Sequence, residues 1–186
     1  MSIVPGGVLK LVEGNPELLW NDARKDLWDR VQAHDFEPDT TLNFTRRLAR
    51  DHGWSLETTR AAIDAYRRFC FLAVVSPTPV TPSEIVDEVW HQHLIYTRDY
   101  WTIWCGLVLK ASLHHDPTPG GSEAQQIYRR QYAETLALHE RFFGPPPADL
   151  WPATHLRFRQ PRYHVTDRTR WFILPKPFAW IRRIDR

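Results

Sequence analysis

Residues 81–110 read TPSEIVDEVWHQHLIYTRDYWTIWCGLVLK, and this stretch decides the fold. It opens with a helix-start signal, with Thr81 as the N-cap, Pro82 at the first helical position and Glu84 three residues after the cap. A capping box with a proline at this position satisfies the free amides at the start of a helix. The pattern therefore predicts a helix that begins at Thr81 and continues to Lys110.

Apolar side chains cover more than half of the circumference of this helix when successive residues are placed about 100° apart. One side carries Val86, Trp90, Leu94, Trp101 and Trp104. Only one sector is polar, with Glu84, Glu88, Gln92, Arg98, Asp99 and Thr102. A helix that is apolar around most of its surface is typical of a buried position, so we expect residues 81–110 to form a buried central helix.

The rest of the chain predicts further helices and almost no strands. Helix-start residues are Asn15, Thr40 or Thr41, Ser55 and Ser122, and helix-ending glycines are Gly53 and Gly144. Only HLRFRQ and RYHV alternate weakly, as the strands of a hairpin would. We expect an all-α fold, a bundle of about five helices around the central one. The helical domain is assigned to residues 15–150, after an N-terminal extension over residues 1–14.

Composition indicates one folded domain. The chain has 186 residues and a mass of 22.0 kDa, and 42% of its residues, including nine Trp, are apolar. No apolar run reaches the length of about 18 residues that spans a membrane, and the N-terminus has no basic start or apolar core of a secretory signal. Cys70 and Cys105 lie in apolar helical segments, as buried thiols of a reducing compartment do. We therefore expect a cytoplasmic protein.

An acid and an imidazole share one face of the central helix. Asp87 and His91 are four residues apart, so their side chains stand one turn apart. Such a pair can bind one metal ion, or the carboxylate can hold the imidazole as an outer partner. His93 lies about 200° around the helix from His91, so the two rings cannot bind one ion in a regular helix. We expect His93 to be buried, with the Thr97 hydroxyl as its partner.

The loop after the central helix carries two more imidazoles, His114 and His115, followed by Asp116. We expect this loop to fold back so that His115 joins Asp87 and His91 as a metal ligand. Four residues are placed in support of the site: His93, His114, Thr97 and Trp90. The alternative is a metal-free polar network that only shapes the fold.

Nitrogen and carboxylate oxygen ligands suit a divalent metal such as zinc, iron or manganese. No nucleotide cofactor is expected, because the chain has no glycine-rich phosphate loop, and it also lacks a GxSxG elbow and a CxxC pair. His139, in the last predicted helix, is a distant candidate ligand. A surface position near the end of that helix is the favoured interpretation of His139.

A combination of motifs marks the central helix and the loop after it: Asp87-x-x-Trp90-His91-x-His93, Tyr100, Gly106 and His115-Asp116. With these motifs the chain resembles the glycine-rich-domain-protein-like family of plants and bacteria, and its bacterial type most. The resemblance covers roughly residues 25–155 and implies that the histidines belong to a recurring site, but it implies no reaction. The chain departs from the plant pattern because it has no glycine-rich tail and carries Pro117 at the position of a second acid.

The C-terminal segment, residues 151–186, differs in composition from the rest of the chain. It carries nine basic and two acidic residues, interleaved with aromatic ones, in a chain whose net charge is +2. This irregular basic aromatic tail could pack on the acidic helical body. It could instead bind, through residues 165–186, an unknown protein partner or an anionic membrane surface, which would place the protein at the inner face of a membrane. Nucleic acid is disfavoured, because the basic residues lie on one short segment broken by prolines.

Two functions follow from these patterns. The first is a metal-binding helical domain with a His/Asp site, for which a hydrolase or an oxygenase would be the activity. The second is a non-catalytic protein- or membrane-interaction module, in which the histidine cluster is structural.

Overall fold

The computed structural model describes residues 19–37, 41–117 and 120–159. Six α-helices and one π-helix are assigned there in chain order: α1 Asp22–Ala33, α2 Phe44–His52, α3 Leu56–Val75, α4 Glu84–Leu94, the π-helix Asp99–Leu109, α5 Gly121–Phe143 and α6 Thr154–Arg157. These described ranges contain no strand, so the predicted all-α fold is confirmed. No helix among them is long and apolar enough to cross a membrane.

The helix at the centre of the bundle is α3. It contacts α1, α2, α4, α5 and the π-helix. Ser55 caps it as predicted, with its side-chain oxygen accepting a hydrogen bond from the backbone N–H of Thr58 at 3.0 Å. Tyr66, Phe69 and Cys70 on α3 are all buried. The predicted bundle around a buried helix is therefore found, but α3 is at its centre, and the two elements of residues 81–110 pack against α3.

Residues 81–110 do not form one helix. The first part is α4, which is capped by Ser83 rather than Thr81, since the Ser83 hydroxyl accepts a hydrogen bond from the backbone N–H of Val86. Thr81 lies before the helix, and its backbone N–H donates to the Thr135 hydroxyl on α5 at 3.0 Å. A short connection after Leu94 then leads into the π-helix.

The π-helix changes which side chains are buried. A π-helix forms i to i+5 hydrogen bonds, so its turns hold more residues than those of an α-helix. Tyr100 and Trp104 are fully buried, but Trp101 is 42% exposed and Leu107 is 60% exposed. The prediction that Trp101 shares a buried side with Trp104 is therefore wrong, because it assumed 100° per residue.

Other helix ends differ by a few residues from the prediction. Asn21 begins α1, with its side-chain oxygen accepting from the backbone N–H of Arg24, so the helix predicted from Asn15 is interrupted before Asp22. Residues 15–18 of that prediction lie outside the described residues. Asn43, rather than Thr40 or Thr41, caps α2.

The glycine-based predictions agree better with the structure. Gly53 ends α2 with φ of 65°, in the left-handed region that favours glycine. Gly144 follows the last residue of α5, as predicted. This helix begins one residue before Ser122, after Gly120, and has no side-chain cap.

The helical body extends beyond residue 150. Trp151 is buried, and Phe158 packs against the core from the end of α6. Residues 155–157, predicted as part of a strand, are helical instead, and Phe158 lies in the turn that follows. Arg157 is paired with Glu84 of α4 at 3.1 Å, which fastens α6 to the body. The second half of the predicted hairpin, RYHV, and the segment 165–186 lie outside the described residues.

Candidate metal centre

Three predicted ligands meet at the surface of α4. Asp87 and His91 lie one turn apart, and the loop after the π-helix folds back so that His115 covers both of them. His115 Nε2 lies 2.8 Å from Asp87 Oδ1, and the rings of His91 and His115 are 4.5 Å apart. One potential ligand atom from each of the three residues lies within 4.8 Å of the other two. The arrangement therefore matches the predicted group, and we call it the α4 cluster.

The α4 cluster is partly accessible. The side chains of Asp87 and His115 are 27% and 20% exposed, and His91 is exposed. The hydrogen bond from His115 to Asp87 raises the pKa of His115, although partial burial acts in the opposite direction. In the absence of a metal ion, the imidazole thus keeps its proton on the side that faces the carboxylate.

Trp90 holds the loop in place, which gives the predicted supporting role a structural basis. Its ring lies 4.4 Å from the ring of His115. Its indole Nε1–H donates to the Tyr100 hydroxyl at 2.8 Å, and that hydroxyl donates in turn to the backbone carbonyl of Leu113. Because Leu113 is two residues before His115, this chain of hydrogen bonds fixes the start of the loop that carries the imidazole.

A cleft of about 660 Å³ lies beside the α4 cluster, and Asp87 and His115 contribute to its wall. Other parts of the wall come from α5, with Gln125 and Tyr128, and from Arg157 near the end of α6. A cleft of this size accommodates a small molecule. Aromatic, amide and charged groups therefore surround any ligand that reaches Asp87.

The remaining predicted residues lie at different distances from the site. His114 lines the cleft and its ring is 5.3 Å from the ring of Trp101, but it is not part of the α4 cluster. His93 is buried on another side of α4. Its hydroxyl partner is Tyr66, with 2.9 Å between the Tyr66 oxygen and His93 Nδ1, and Thr97 is exposed. The predicted partnership of His93 with Thr97 is therefore replaced by one with a residue of α3.

His93 belongs to a second group of possible ligands, together with His34 and Asp99, which we call the inner cluster. Asp99 Oδ2 lies 2.7 Å from His93 Nε2 and 3.1 Å from His34 Nε2. The ligand atoms of these three residues also lie within 4.8 Å of one another. Asp99 is the first residue of the π-helix, and His34 directly follows α1.

Burial controls the ionisation of the inner cluster. It lowers the pKa of His34 and of His93, although the charge of Asp99 and its hydrogen bonds oppose this. Burial of Asp99 would raise its pKa, but the hydrogen bond with His93 and the nearby imidazoles give a net lowering. The stable state is therefore two neutral imidazoles beside one carboxylate.

No pattern in the sequence predicts His34 and Asp99 as site residues. Asp99 falls in the polar sector when the stretch is treated as a regular helix, and His34 is more than fifty residues away from its partners in the chain. Only the change to π-helical geometry and the packing of α1 bring them together. A pair of single histidines at helix ends carries no local signal for such a contact.

His139 was predicted at the surface, and this prediction is wrong. The residue is 1% exposed, and its Nδ1 lies 3.0 Å from the carbonyl oxygen of Gly144. Its ring packs against Trp151 at 5.6 Å. His139 therefore closes the end of α5 and joins neither cluster.

A protein-family model, UCP032817-like, matches residues 29–135, which is more than half of the chain and includes every residue of both clusters. The chain belongs to the UCP032817-like family. The resemblance to the glycine-rich-domain-protein-like family is therefore corrected, because the family that matches is a different one. No curated protein and no solved structure matches the chain.

Proposed function

We propose that this member of the UCP032817-like family binds one divalent metal ion through Asp87, His91 and His115. The observation that carries the proposal is the convergence of the three ligand atoms to within 4.8 Å of one another. Two of them come from consecutive turns of α4, and the third comes from a loop 24 residues beyond His91 in the chain. Donors from separate elements that meet at one point are typical of a metal centre.

Two imidazoles and one carboxylate are a donor set for zinc, iron(II) or manganese. Three protein ligands leave at least one coordination position for water or substrate, which is the arrangement of catalytic rather than structural zinc sites. A metal ion bound there would supply an activated water for hydrolysis or, as iron(II), a site for dioxygen. A hydrolase or an oxygenase is thus the proposed activity class.

The residues around the α4 cluster would prepare it for the ion. Trp90 restricts the ring of His115 at 4.4 Å, so the imidazole does not have to be ordered when the metal binds. His115 binds a metal ion only as the neutral imidazole, so metal binding is expected to release protons from the imidazolium form and to strengthen with rising pH. The adjoining cleft would hold the substrate near the open coordination position.

Elemental analysis of protein purified without a histidine tag tests the proposal. We expect about one zinc, iron or manganese ion per chain at this centre, as a folded His/Asp site would retain. The variant His91→Gln should lose it, and His155→Gln, which changes an exposed histidine on α6, should keep it. The proposal would be overturned if, after reconstitution, the wild-type and His91→Gln chains contained equal amounts of metal.

A second candidate function is a non-catalytic interaction module, and exposed apolar side chains favour it. Trp101, Ile103 and Leu107 of the π-helix are 42%, 38% and 60% exposed. Together with residues 165–186 they could engage a protein partner or an anionic membrane from the cytoplasm, where two free thiols such as Cys70 and Cys105 are stable. Co-sedimentation with phosphatidylserine vesicles tests the membrane form of this function. Deletion of residues 165–186 should abolish it while the helical body stays folded.

A further inference from the structure

The inner cluster combines three metal-binding groups in a position separate from the α4 cluster. We infer that His34, His93 and Asp99 form a second metal site, which takes a borderline divalent cation such as Zn²⁺. It shares no residue with the first site. His91 and His93 belong to different clusters because they leave α4 in different directions, so each site can be loaded or removed independently of the other.

Two distances in the inner cluster are close to those around a bound ion, and the two imidazole nitrogens lie within 4.8 Å of each other. Zinc–nitrogen and zinc–oxygen bonds are about 2.0–2.2 Å long, so two tetrahedral ligand atoms lie about 3.3–3.5 Å apart. The two imidazole nitrogens are 2.7 Å and 3.1 Å from the same carboxylate oxygen. Each of these two contacts would lengthen by less than an ångström to admit the ion.

The orientation of His93 is fixed in the way that ligating histidines usually are. A ligating imidazole commonly uses its second nitrogen to bind an outer partner, which sets the tautomer and the direction of the ring. The Tyr66 hydroxyl lies 2.9 Å from His93 Nδ1, on the opposite side of the ring from Asp99. With a metal on Nε2, the Nδ1–H would donate to the Tyr66 oxygen, so no buried polar atom of this pair would lose its partner.

Aromatic side chains enclose His34, the second imidazole of the inner cluster, and separate the site from solvent. The ring of His34 lies 4.6 Å from that of Phe36 and 5.0 Å from that of Trp104. Exposure of the His34 and His93 side chains is 6% and 1%, whereas that of Asp99 is 32%. An ion and its water ligand would therefore reach the site past the carboxylate, and exchange should be slower than at the more open α4 cluster.

Asp99 also occupies a special place in the backbone. It is the first residue of the π-helix, and π-helical turns are rare and occur frequently at functional sites. In a regular α-helix it would lie in the polar sector with Arg98 and Thr102. If Asp99 and His34 both bind the ion, the ion would link the π-helix to the end of α1.

Without a metal, the same three groups form a hydrogen-bonded network in which two N–H groups donate to one carboxylate. The two states differ in metal content, so the test is stoichiometry in purified, reconstituted full-length protein. We expect two ions per chain in the wild type, one in Asp99→Asn and one in the double variant His91→Gln/His115→Gln. The control Asp29→Asn changes an exposed acid on α1 and should keep two.

The possible results separate this inference from the proposed function. If Asp99→Asn loses no ion while His91→Gln/His115→Gln loses one, the inner site is excluded and the α4 site stands. If only Asp99→Asn loses an ion, the inner site stands and the proposed function fails. If neither lowers the metal content, both fail.

A second measurement covers the case in which Asp99→Asn does not fold. In the Co²⁺-loaded wild-type protein, each bound ion shifts the ring N–H protons of its histidines far outside the normal NMR range. We expect signals from four histidines, of which the one from His93 Nδ1–H changes position and exchanges faster in Tyr66→Phe. The inner site would be overturned if Tyr66→Phe changed none of these signals and all of them disappeared in His91→Gln/His115→Gln.

Discussion

His115 and Asp87 are joined by a hydrogen bond of 2.8 Å although 28 residues separate them in the chain. The bond holds the loop after the π-helix against α4 and leaves His91 beside it, with 4.5 Å between the two imidazole rings. The same three groups would surround a metal ion. A substitution that removes the charge of Asp87 but keeps its shape can therefore distinguish the structural role of the hydrogen bond from the proposed role of Asp87 in metal binding.

Asp87→Asn should lower the affinity of the α4 cluster for zinc while the loop stays in place. The amide oxygen can still accept the hydrogen bond from His115, but it is a poor substitute for a charged ligand. We expect a loss larger than the ~10–100-fold that removal of an outer-shell partner causes. Competition with a zinc-binding dye measures the affinity, and Asp29→Asn is the matched control. An unchanged affinity with an intact thermal transition would show that Asp87 is not a ligand.

The metal-free protein should lose stability as the pH falls below about 6.5, the ordinary pKa of histidine. Burial lowers the pKa of His34 and of His93 in the folded state, so the unfolded chain binds protons first. The free energy of unfolding then decreases with acid until the lowered pKa values are passed. His115, with its raised pKa, acts in the opposite direction, since its contribution is full below 6.5 and disappears as the pH rises through its folded value.

Urea unfolding in the presence of a chelator, followed between about pH 8 and pH 5, measures this dependence. His34→Gln should flatten the decrease on the acidic side, because one buried imidazole can no longer take up a proton in the unfolded state only. The exposed His155→Gln should leave the curve unchanged. A wild-type stability that rises as the pH falls from about 6.5 to 5 would contradict this interpretation of the two buried imidazoles.

Much of the architecture follows from local rules that need no knowledge of the tertiary structure. Ser55 and Gly53 act through hydrogen bonds and backbone conformations within a few residues, and both are where the sequence predicts them. The grouping of Asp87 with His91 needs only the rise of an α-helix. The meeting of His115 with them required one more step, that a short loop folds back on the helix it follows.

The register of residues 95–110 could not be predicted, because it depends on packing. Nothing in the amino-acid types marks a π-helix, and the usual 100° per residue assigns Trp101 and Asp99 to the wrong sides. Because the regular-helix register is wrong, the sequence does not predict the inner cluster. His34 comes from α1, whose contact with the π-helix is a tertiary interaction with no sequence pattern of its own.

The π-helical register predicts that two neighbouring tryptophans differ strongly in their contribution to stability. Trp104 is fully buried and Trp101 is 42% exposed. Trp104→Ala should lower the free energy of unfolding by about 3–5 kcal/mol, as large cavities in a core do. Trp101→Ala should cost about 1 kcal/mol or less, since surface changes are mostly small. Urea unfolding of both variants measures the two losses of unfolding free energy. Equal losses would favour a regular α-helix over the π-helix.

Tyr66→Phe should destabilise the protein because it removes the partner of His93 Nδ1 at a buried position. A buried polar atom that loses its hydrogen bond costs about 1–3 kcal/mol. Tyr96→Phe is the control, because the Tyr96 hydroxyl accepts from the guanidinium of Arg47 at a half-buried position, where water can replace it. Equal unfolding free energies for the two variants would mean that the contact between Tyr66 and His93 contributes nothing specific.

Substitution of Trp151 tests whether the helical body ends at residue 150, as the change in composition predicts, or extends to α6. The side chain is 2% exposed and packs against Tyr132 and His139, so Trp151→Ala should cost about 3–5 kcal/mol in unfolding free energy. Leu156→Ala in the same segment, where the leucine is 51% exposed, should change it by about 0.5 kcal/mol or less. If both variants unfold at the same urea concentration as the wild type, residues 151–159 are an appendage. A large effect of Trp151→Ala alone makes this segment part of the core that supports the cleft, because Arg157 and Phe158 line that cleft.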